Sequence, residues 1–293
     1  MDIETKNLSI SALRWTVIDR VSKYVIVFFS TVVLARVLGP KAFGVISMLY
    51  IFISLSSLFI DFGMGGGLVR KEKLTTADCS TFFYFNVLVA IFLYILLFFL
   101  APYIAIFYKE PQVTNILRVL CLTIPINSLT LIHKELLIRE LKVKYNTRAS
   151  LLGSIISTAI GIFCAYQNFG IWSLVILQVS NSIIYMIVLW LYSKWLPTYE
   201  FSYKSLQEFL HFGLGLFLSS FINTIFANVY QVLIGLFFSV TVAGLYYQAR
   251  RLFEIPVLTV SNVVDSITYP ILVKFQKDND ALVSNYSRIV KLL

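Results

Sequence analysis

Between Val32 and Glu72, two apolar runs long enough to cross a bilayer meet at one short joint, Leu38-Gly39-Pro40-Lys41-Ala42-Phe43-Gly44. Gly39-Pro40 stops a helix, because proline has no N–H to donate and restricts the residue before it. With so little chain between them, the two runs reverse at once and lie antiparallel. The second run ends in Gly63-Met64-Gly65-Gly66-Gly67, followed by Arg70, Lys71 and Lys73. Apolar helix, tight joint, apolar helix and basic tether is a pattern repeated along much of the chain. Composition identifies the solvent this pattern meets: 58% of the 293 residues are hydrophobic and 13% are charged. Soluble domains run at about 45–50% and 25%. A soluble fold cannot hide that much apolar surface, so the chain is read as a membrane protein.

A helix crosses ~30 Å of hydrocarbon with about 20 residues. On that ruler the spans fall at 14–37, 42–64, 82–106, 114–133, 150–166, 170–192, 209–236 and 242–264, with a further apolar run from Tyr286. Each is read as a helix, since a lone strand in lipid leaves its backbone groups unpaired. The expected fold is an all-α polytopic transmembrane helix bundle. Lys71, Lys73, Lys134, Arg139, Lys142, Lys144, Arg148 and Lys194 fall on the side of the N-terminus, against Arg36, Lys41 and Lys109 on the other. The positive-inside rule therefore puts the N-terminus in the cytoplasm. It also accounts for the net charge of +9, which forms no continuous patch for nucleic acid. The N-terminus has no cleavable signal pattern, and the first span serves for insertion.

Three local features carry further expectations. The stretch HKELLIRELKVKYNTRA (133–149) reads as an amphipathic helix on the membrane surface, either attracting anionic headgroups or simply anchoring topology. Gly153, Ser157, Gly161 and Ala165 put a small residue at every fourth position, a stripe that lets another helix approach closely. The glycines 65–67 follow a helix rather than a strand and read as a flexible joint.

Catalytic and cofactor chemistry finds no footing. Cys79, Cys121 and Cys164 are isolated, and His133 and His211 lie far apart, so no zinc set or disulfide framework is indicated. GxxxxGK, HExxH and GxSxG are all missing. The outer connections, 38–41, 107–113, 167–169 and 237–241, are too short to carry the site of a glycan polymerase or ligase. The chain is read as a non-enzyme with no cofactor.

Ionisable groups inside spans are costly and so are functional candidates. The first span carries Asp19, Arg20 and Lys23, and the eighth carries Arg250, Arg251 and Glu254. Cations in a central cavity can hold a lipid phosphate, arginine by paired hydrogen bonds. The plainer reading is helical pairing at i,i+4, Asp19 with Lys23 and Arg250 with Glu254. Asn228 and Gln231 in the seventh span have the donors and acceptors to bind sugar hydroxyls, or to join helices. Pro256 removes a backbone donor and so allows a kink. Asp61 is placed to brace the glycine joint, and Arg118 sits near an interface.

The opening design returns 200 residues on. VLGPKAFGVISMLYIF (37–52) and FFSVTVAGLYYQARRLFEIP (237–256) each lead from a span through a tight joint to a glycine, Gly44 or Gly244. A weak repeat of half-protein period implies two lobes with a site between them. LARVLGPKAFGVISM, NFGIWSLVILQ (168–178), KWLPTYEFSYKSLQEFLHFGLGLF (194–217) and VLIGLFFSVTVAGLYYQARRLFEIP (232–256) together resemble the polysaccharide-exporting branch of the multidrug/oligosaccharidyl-lipid/polysaccharide exporter superfamily, the Wzx-type and colanic-acid exporter-like proteins. The resemblance implies a MATE-like two-lobed architecture. Residues 1–200 would form an N-terminal lobe of six helices and 201–293 a truncated second lobe. It implies a flippase moving an undecaprenyl-linked oligosaccharide across the bacterial inner membrane, working among membrane lipids and with polysaccharide polymerase and chain-length proteins. A cation-coupled multidrug exporter of the same fold and a non-transporting fragment are the alternatives. The excess of Arg and Lys over Asp and Glu within spans favours the anionic lipid.

Overall fold

The structure, a computed structural model, describes residues 3–254, except the side chains of residues 3–14, Thr16, Val17 and Arg20. The expectations for Pro256 and the run from Tyr286 lie outside the described residues. Helices follow one another as α1 (Ile3–Asp61), α2 (Met64–Arg70), α3 (Thr76–Phe107), α4 (Val113–Leu120), α5 (Thr123–Arg139), α6 (Val143–Tyr166), α7 (Trp172–Tyr192) and α8 (Tyr203–Phe237). A further helix, α9, occupies 240–254. Two compact units divide the chain, Met1–Gln248 and Ala249–Leu293. Among the described residues, six helical stretches are long and apolar enough to cross a membrane, the first being Val21–Arg70.

That first stretch is two arms. At Gly39, φ 70° and ψ 173° break the helix just before Pro40, a left-handed backbone that glycine adopts without a Cβ clash. Residues 15 and 61 of one straight helix would stand about 70 Å apart at 1.5 Å per residue. Instead both lie against the α5–α6 corner. Thr147 Oγ1 donates to the Trp15 carbonyl at 3.2 Å, and the Asp61 and Glu135 carboxylates both abut Gly65. At the other end Lys41, beside the joint, pairs with Glu110 at 3.3 Å. The arms therefore form the expected hairpin. The bundle has a joint end (38–41, 108–112, 167–171, 238–239) and a basic end (71–75, 140–142, 193–202).

Two apolar clusters stack along the bundle. Leu34, Phe43, Met48, Leu49, Leu117, Leu120 and Val175 fill the joint-end half. Met64, Leu68, Phe82, Phe83, Ile132 and Phe209 fill the basic-end half. Outside, Leu88, Phe92, Phe99, Tyr103 and Ile106 keep α3 apolar where it is exposed, the face a lipid solvent requires. The α6 stripe packs on α7 as expected. Gly153, Ser157, Gly161 and Ala165 are all buried. A Cβ on Gly161 would overlap Leu177, and Asn181 Nδ2 donates to Ser157 Oγ at 3.2 Å.

Two expectations are corrected. Residues 65–67 are helical within α2 and are no flexible joint. Their helix is imposed by packing, with Gly67 against Phe209 and Phe212, over the poor helix propensity of glycine. Asp61 braces that start, its Oδ1 accepting from the Gly65 N–H at 3.1 Å. Residues 133–149 form no separate surface helix: α5 runs on to Arg139 and α6 begins at Val143, so only 140–142 connect them. The span expected at 114–133 falls within the membrane-length stretch Val113–Arg139, with a break between α4 and α5. Pro125 has no N–H for the Cys121 carbonyl, which accepts from Ile124 at 2.9 Å instead.

A second proline has a longer-range remedy. Pro102 lies inside α3 and leaves the Phe98 carbonyl without its helical donor. Arg118 of α4 supplies one: Nε donates to Phe98 O at 3.3 Å, and the guanidinium sits 4.3 Å from the Phe98 ring centroid. Replacing Arg118 by Leu strands that carbonyl and is expected to cost about 1–3 kcal/mol. Restoring the α3 donor with Pro102→Ala should recover much of the loss. A double-mutant cycle read by thermal denaturation in detergent checks this, and additive effects would show that the two residues act independently.

Candidate functional site

The two joints that the repeat pairs in sequence meet in space. A Cβ added to Gly44 would collide with the Val240 carbonyl, and one added to Gly244 would collide with the Pro40 carbonyl. Val240 stands four residues before Gly244 and Pro40 four before Gly44. Each glycine thus receives the backbone of the other copy one turn upstream, a reciprocal contact of the kind a two-fold axis generates. One turn further along, Ser47 Oγ donates to the Gly44 carbonyl at 2.8 Å. Gly235 of α8 faces Met48, where a Cβ would again overlap. Helix α8 therefore runs antiparallel to the second arm of α1. At the basic end the same two elements meet through Gly213 against the Phe62 carbonyl and through Phe62 stacked on Phe217 at 4.3 Å.

Gln231 belongs to this crossing. It is 4% exposed, and its Nε2 donates to Ser47 Oγ at 2.7 Å and to the Ala243 carbonyl at 2.9 Å. One amide thus ties α8 to both helices that leave the joints, the helix-joining role open to it from sequence. Its Oε1 is buried with no partner among the described residues. Asn228 is half-buried and its Nδ2 donates to the Thr224 carbonyl of its own helix at 2.8 Å.

The charged candidates adopt their helical pairings. Lys23 Nζ lies 2.8 Å from Asp19 Oδ2, and the second Asp19 oxygen is buried with no partner among the described residues. Arg20 shares that turn, with its side chain outside the described set. In the second unit Arg250 Nε meets Glu254 Oε1 at 2.6 Å, and Arg251, the next residue, points to another face of the helix.

Other polar groups had no site role in the sequence reading. Asn86 of α3 is fully buried, and neither amide atom has a partner among the described residues. An asparagine inside FFYFNVLVAIF was the signal for it. His133 is fully buried, with Nδ1 2.8 Å from Ser193 Oγ and its ring 4.5 Å from that of Trp190. Arg139, read only as a loop cation, caps the C-terminus of α2: Nη1 donates to the Leu68, Val69 and Lys71 carbonyls and Nη2 to that of Glu72. A helix leaves its last carbonyls without partners, and a guanidinium has enough donors to serve several of them. Lys71 bridges Asp78 at 2.9 Å and Glu208 at 3.0 Å. Burial opposes its charge, but these two hydrogen-bonded carboxylates outweigh burial and hold its pKa above the ordinary 10.5. The basic end is thus stapled from α2 and α3 to α8. A groove of about 360 Å³ beside α8 is lined by Phe62, Tyr203, Leu206, Gln207, Leu210, His211 and Leu214 and is mostly apolar.

With this geometry in place, comparison with known proteins is informative. A model of the family described as polysaccharide biosynthesis protein matches residues 33–293. The chain is similar to the teichuronic acid biosynthesis protein TuaB of Bacillus subtilis, 26% identical over 81% of this chain and 50% of TuaB. It is similar to the succinoglycan biosynthesis transport protein ExoT of Rhizobium meliloti, 23% identical over 91% of this chain and 54% of ExoT. The lipopolysaccharide biosynthesis protein WzxC of Escherichia coli is 22% identical over 97% of this chain and 58% of WzxC. The chain spans about half the length of the curated relatives it matches. Among solved structures, the inward-facing conformation of a multidrug resistance MATE family transporter of the MOP superfamily superposes with a TM-score of 0.66. The two are 14% identical over 94% of this chain and 70% of the other, and they share the fold.

The reciprocal joint makes a sharp prediction. Gly44→Ala and Gly244→Ala should each lower thermal stability in detergent by about 1–3 kcal/mol through overpacking, although alanine is the better helix former. Because both methyls separate the same pair of helices, the double variant should cost clearly less than the sum. Wild-type melting of both single variants would show that the close approach carries no weight.

Proposed function

We propose, for a chain that belongs to the polysaccharide biosynthesis protein family, that it serves as a lipid-linked glycan flippase. In this reading it carries an undecaprenyl-linked oligosaccharide from the cytoplasmic to the outer leaflet of a bacterial inner membrane. The observation that carries the reading is the family match across residues 33–293, on a fold shared with a transporter. The residues add support of their own. Lys23 lies near the start of the first membrane-length stretch, Val21–Arg70, with Asp19 and Arg20 just before it, and Arg250, Arg251 and Glu254 follow in α9. The joint-end connections are only a few residues long, which leaves no room there for a catalytic domain and supports transport over glycan assembly.

Within this proposal, 1–200 acts as one lobe and α8 opens the second, with the N-terminus in the cytoplasm. Arg20 and Lys23 contact the phosphate of the carrier lipid, and Arg250 and Arg251 are the cationic candidates of the second unit. Asn228 is available to sugar hydroxyls, while Gln231 holds the joint. A guanidinium offers a phosphate two parallel donors and an ammonium adds a point charge. The Asp19–Lys23 and Arg250–Glu254 pairs hold Lys23 and Arg250 in position when no substrate is bound. Energy enters as an ion gradient or the membrane potential, since the sequence carries no phosphate-cradling GxxxxGK. Polymerase and chain-length proteins receive the product.

The test is glycan display in a strain lacking its own copy, complemented with the natural full-length gene. Arg20→Gln with Lys23→Gln is expected to abolish surface glycan while the protein remains at wild-type abundance, and lipid-linked repeat units should accumulate on the inner leaflet. Arg250→Gln with Arg251→Gln should have the same effect. Unchanged surface glycan in both double variants would remove these cations from the mechanism.

A further inference from the structure

At the basic end, two cations on α6 converge on one ring of α1. Lys144 Nζ lies 5.7 Å and Arg148 Cζ 5.8 Å from the centroid of Trp15, both within cation–π range. The two residues are four apart and share a helix face, where like charges repel. Four other lysines around this end have carboxylates: Lys23 has Asp19, Lys71 has Asp78 and Glu208, Lys134 has Glu135, and Lys142 has Glu140, whereas Lys73, Lys194 and Lys204 form no ion pair among the described residues. Neither Lys144 nor Arg148 forms an ion pair among the described residues. Asp19, one turn along from Trp15, is committed to Lys23.

We propose that Trp15, Lys144 and Arg148 form a binding site for the phosphate headgroup of an anionic phospholipid at the membrane boundary. The site is built from two elements held in register. Thr147, between the two cations, is fully buried and bonds the Trp15 carbonyl. Tyr185 Oη donates to Asn146 Oδ1 at 2.7 Å, and Tyr145 packs against Tyr192 at 5.0 Å. Aromatic rings of this kind mark the headgroup level of a bilayer. The face that carries Lys144 and Arg148 continues one and two turns on with Leu152, Ile155 and Ile156, all exposed. That is where acyl chains would lie below a headgroup held by the cations, and it selects a lipid over a free phosphate. The guanidinium offers paired donors to the phosphodiester, the ammonium adds charge, and the indole ring seats the glycerol region. This inference goes beyond the transport reading and does not depend on it.

Native mass spectrometry of the purified chain tests it, with phosphatidylglycerol and phosphatidylcholine as probes. The wild type should retain phosphatidylglycerol preferentially. Lys144→Gln with Arg148→Gln should weaken that retention at least about tenfold, each basic group contributing substantially to an anionic headgroup, while phosphatidylcholine retention is unchanged. Arg148→Lys should keep most of the preference. Equal retention of both lipids by the wild type, or an unaltered preference in the double variant, overturns the proposal. Displacement of phosphatidylglycerol by equimolar farnesyl pyrophosphate also overturns it, by assigning the site to a prenyl phosphate. Should the double variant fail to fold, the wild type decides the matter: brominated phosphatidylglycerol should quench the Trp15 emission, read as the difference from Trp15→Phe, more strongly than brominated phosphatidylcholine. Equal quenching counts against the site.

Discussion

The reciprocal contact of the two joints governs how the rest of this bundle is arranged. In lipid, two apolar helices gain little from hiding apolar surface from their solvent, so close packing and hydrogen bonds have to hold them together. Gly44 and Gly244 admit the backbones of Val240 and Pro40, which brings the start of α9 against the second arm of α1. That approach sets where Gln231 can stand, and Gln231 then joins Ser47 and Ala243. Gly235 seats Met48 along the same line. The pairing of α8 with α1 follows from a few absent side chains, and a single amide secures it.

The basic end obeys a different constraint. Helices that finish near one another present carbonyls that must be paired or hydrated. Arg139 gathers four of them from α2 and the residues after it, so the corner between α5 and α6 is fixed to the start of the next hairpin. Arg118 does the same within the apolar region, meeting the carbonyl that Pro102 leaves open. Both arginines act as donors to backbone more than as charges. Lys144 and Arg148 of the same end converge instead on one aromatic ring, that of Trp15.

Much of the fold could be read from residue pattern, and the reason is local. Spans appear in the sequence because each must satisfy its own backbone and face lipid. The α6 stripe and the Asp19–Lys23 and Arg250–Glu254 pairs appear because neighbours on a helix recur every three or four residues. The misreadings came where distant packing overrode local preference. Glycines 65–67 look flexible until Phe209 and Phe212 press on them. The stretch 133–149 has an amphipathic rhythm, yet it is the end of one helix and the start of another. Asn86 was overlooked although its setting marked it, and the duty of Arg139 depends on carbonyls nearly 70 residues away in the chain.

By itself the sequence determined the class of protein, the placement of its helices, the hairpin at Gly39-Pro40 and the ion pairs within single helices, because lipid forces every span to close its own hydrogen bonds. It also marked Gly44 and Gly244 as counterparts. Only the tertiary structure decided that these counterparts touch each other, that Gln231 spans three helices, and that Trp15 collects two cations from α6. Those outcomes depend on how closely backbones far apart in the chain can approach, and local periodicity carries no record of that distance.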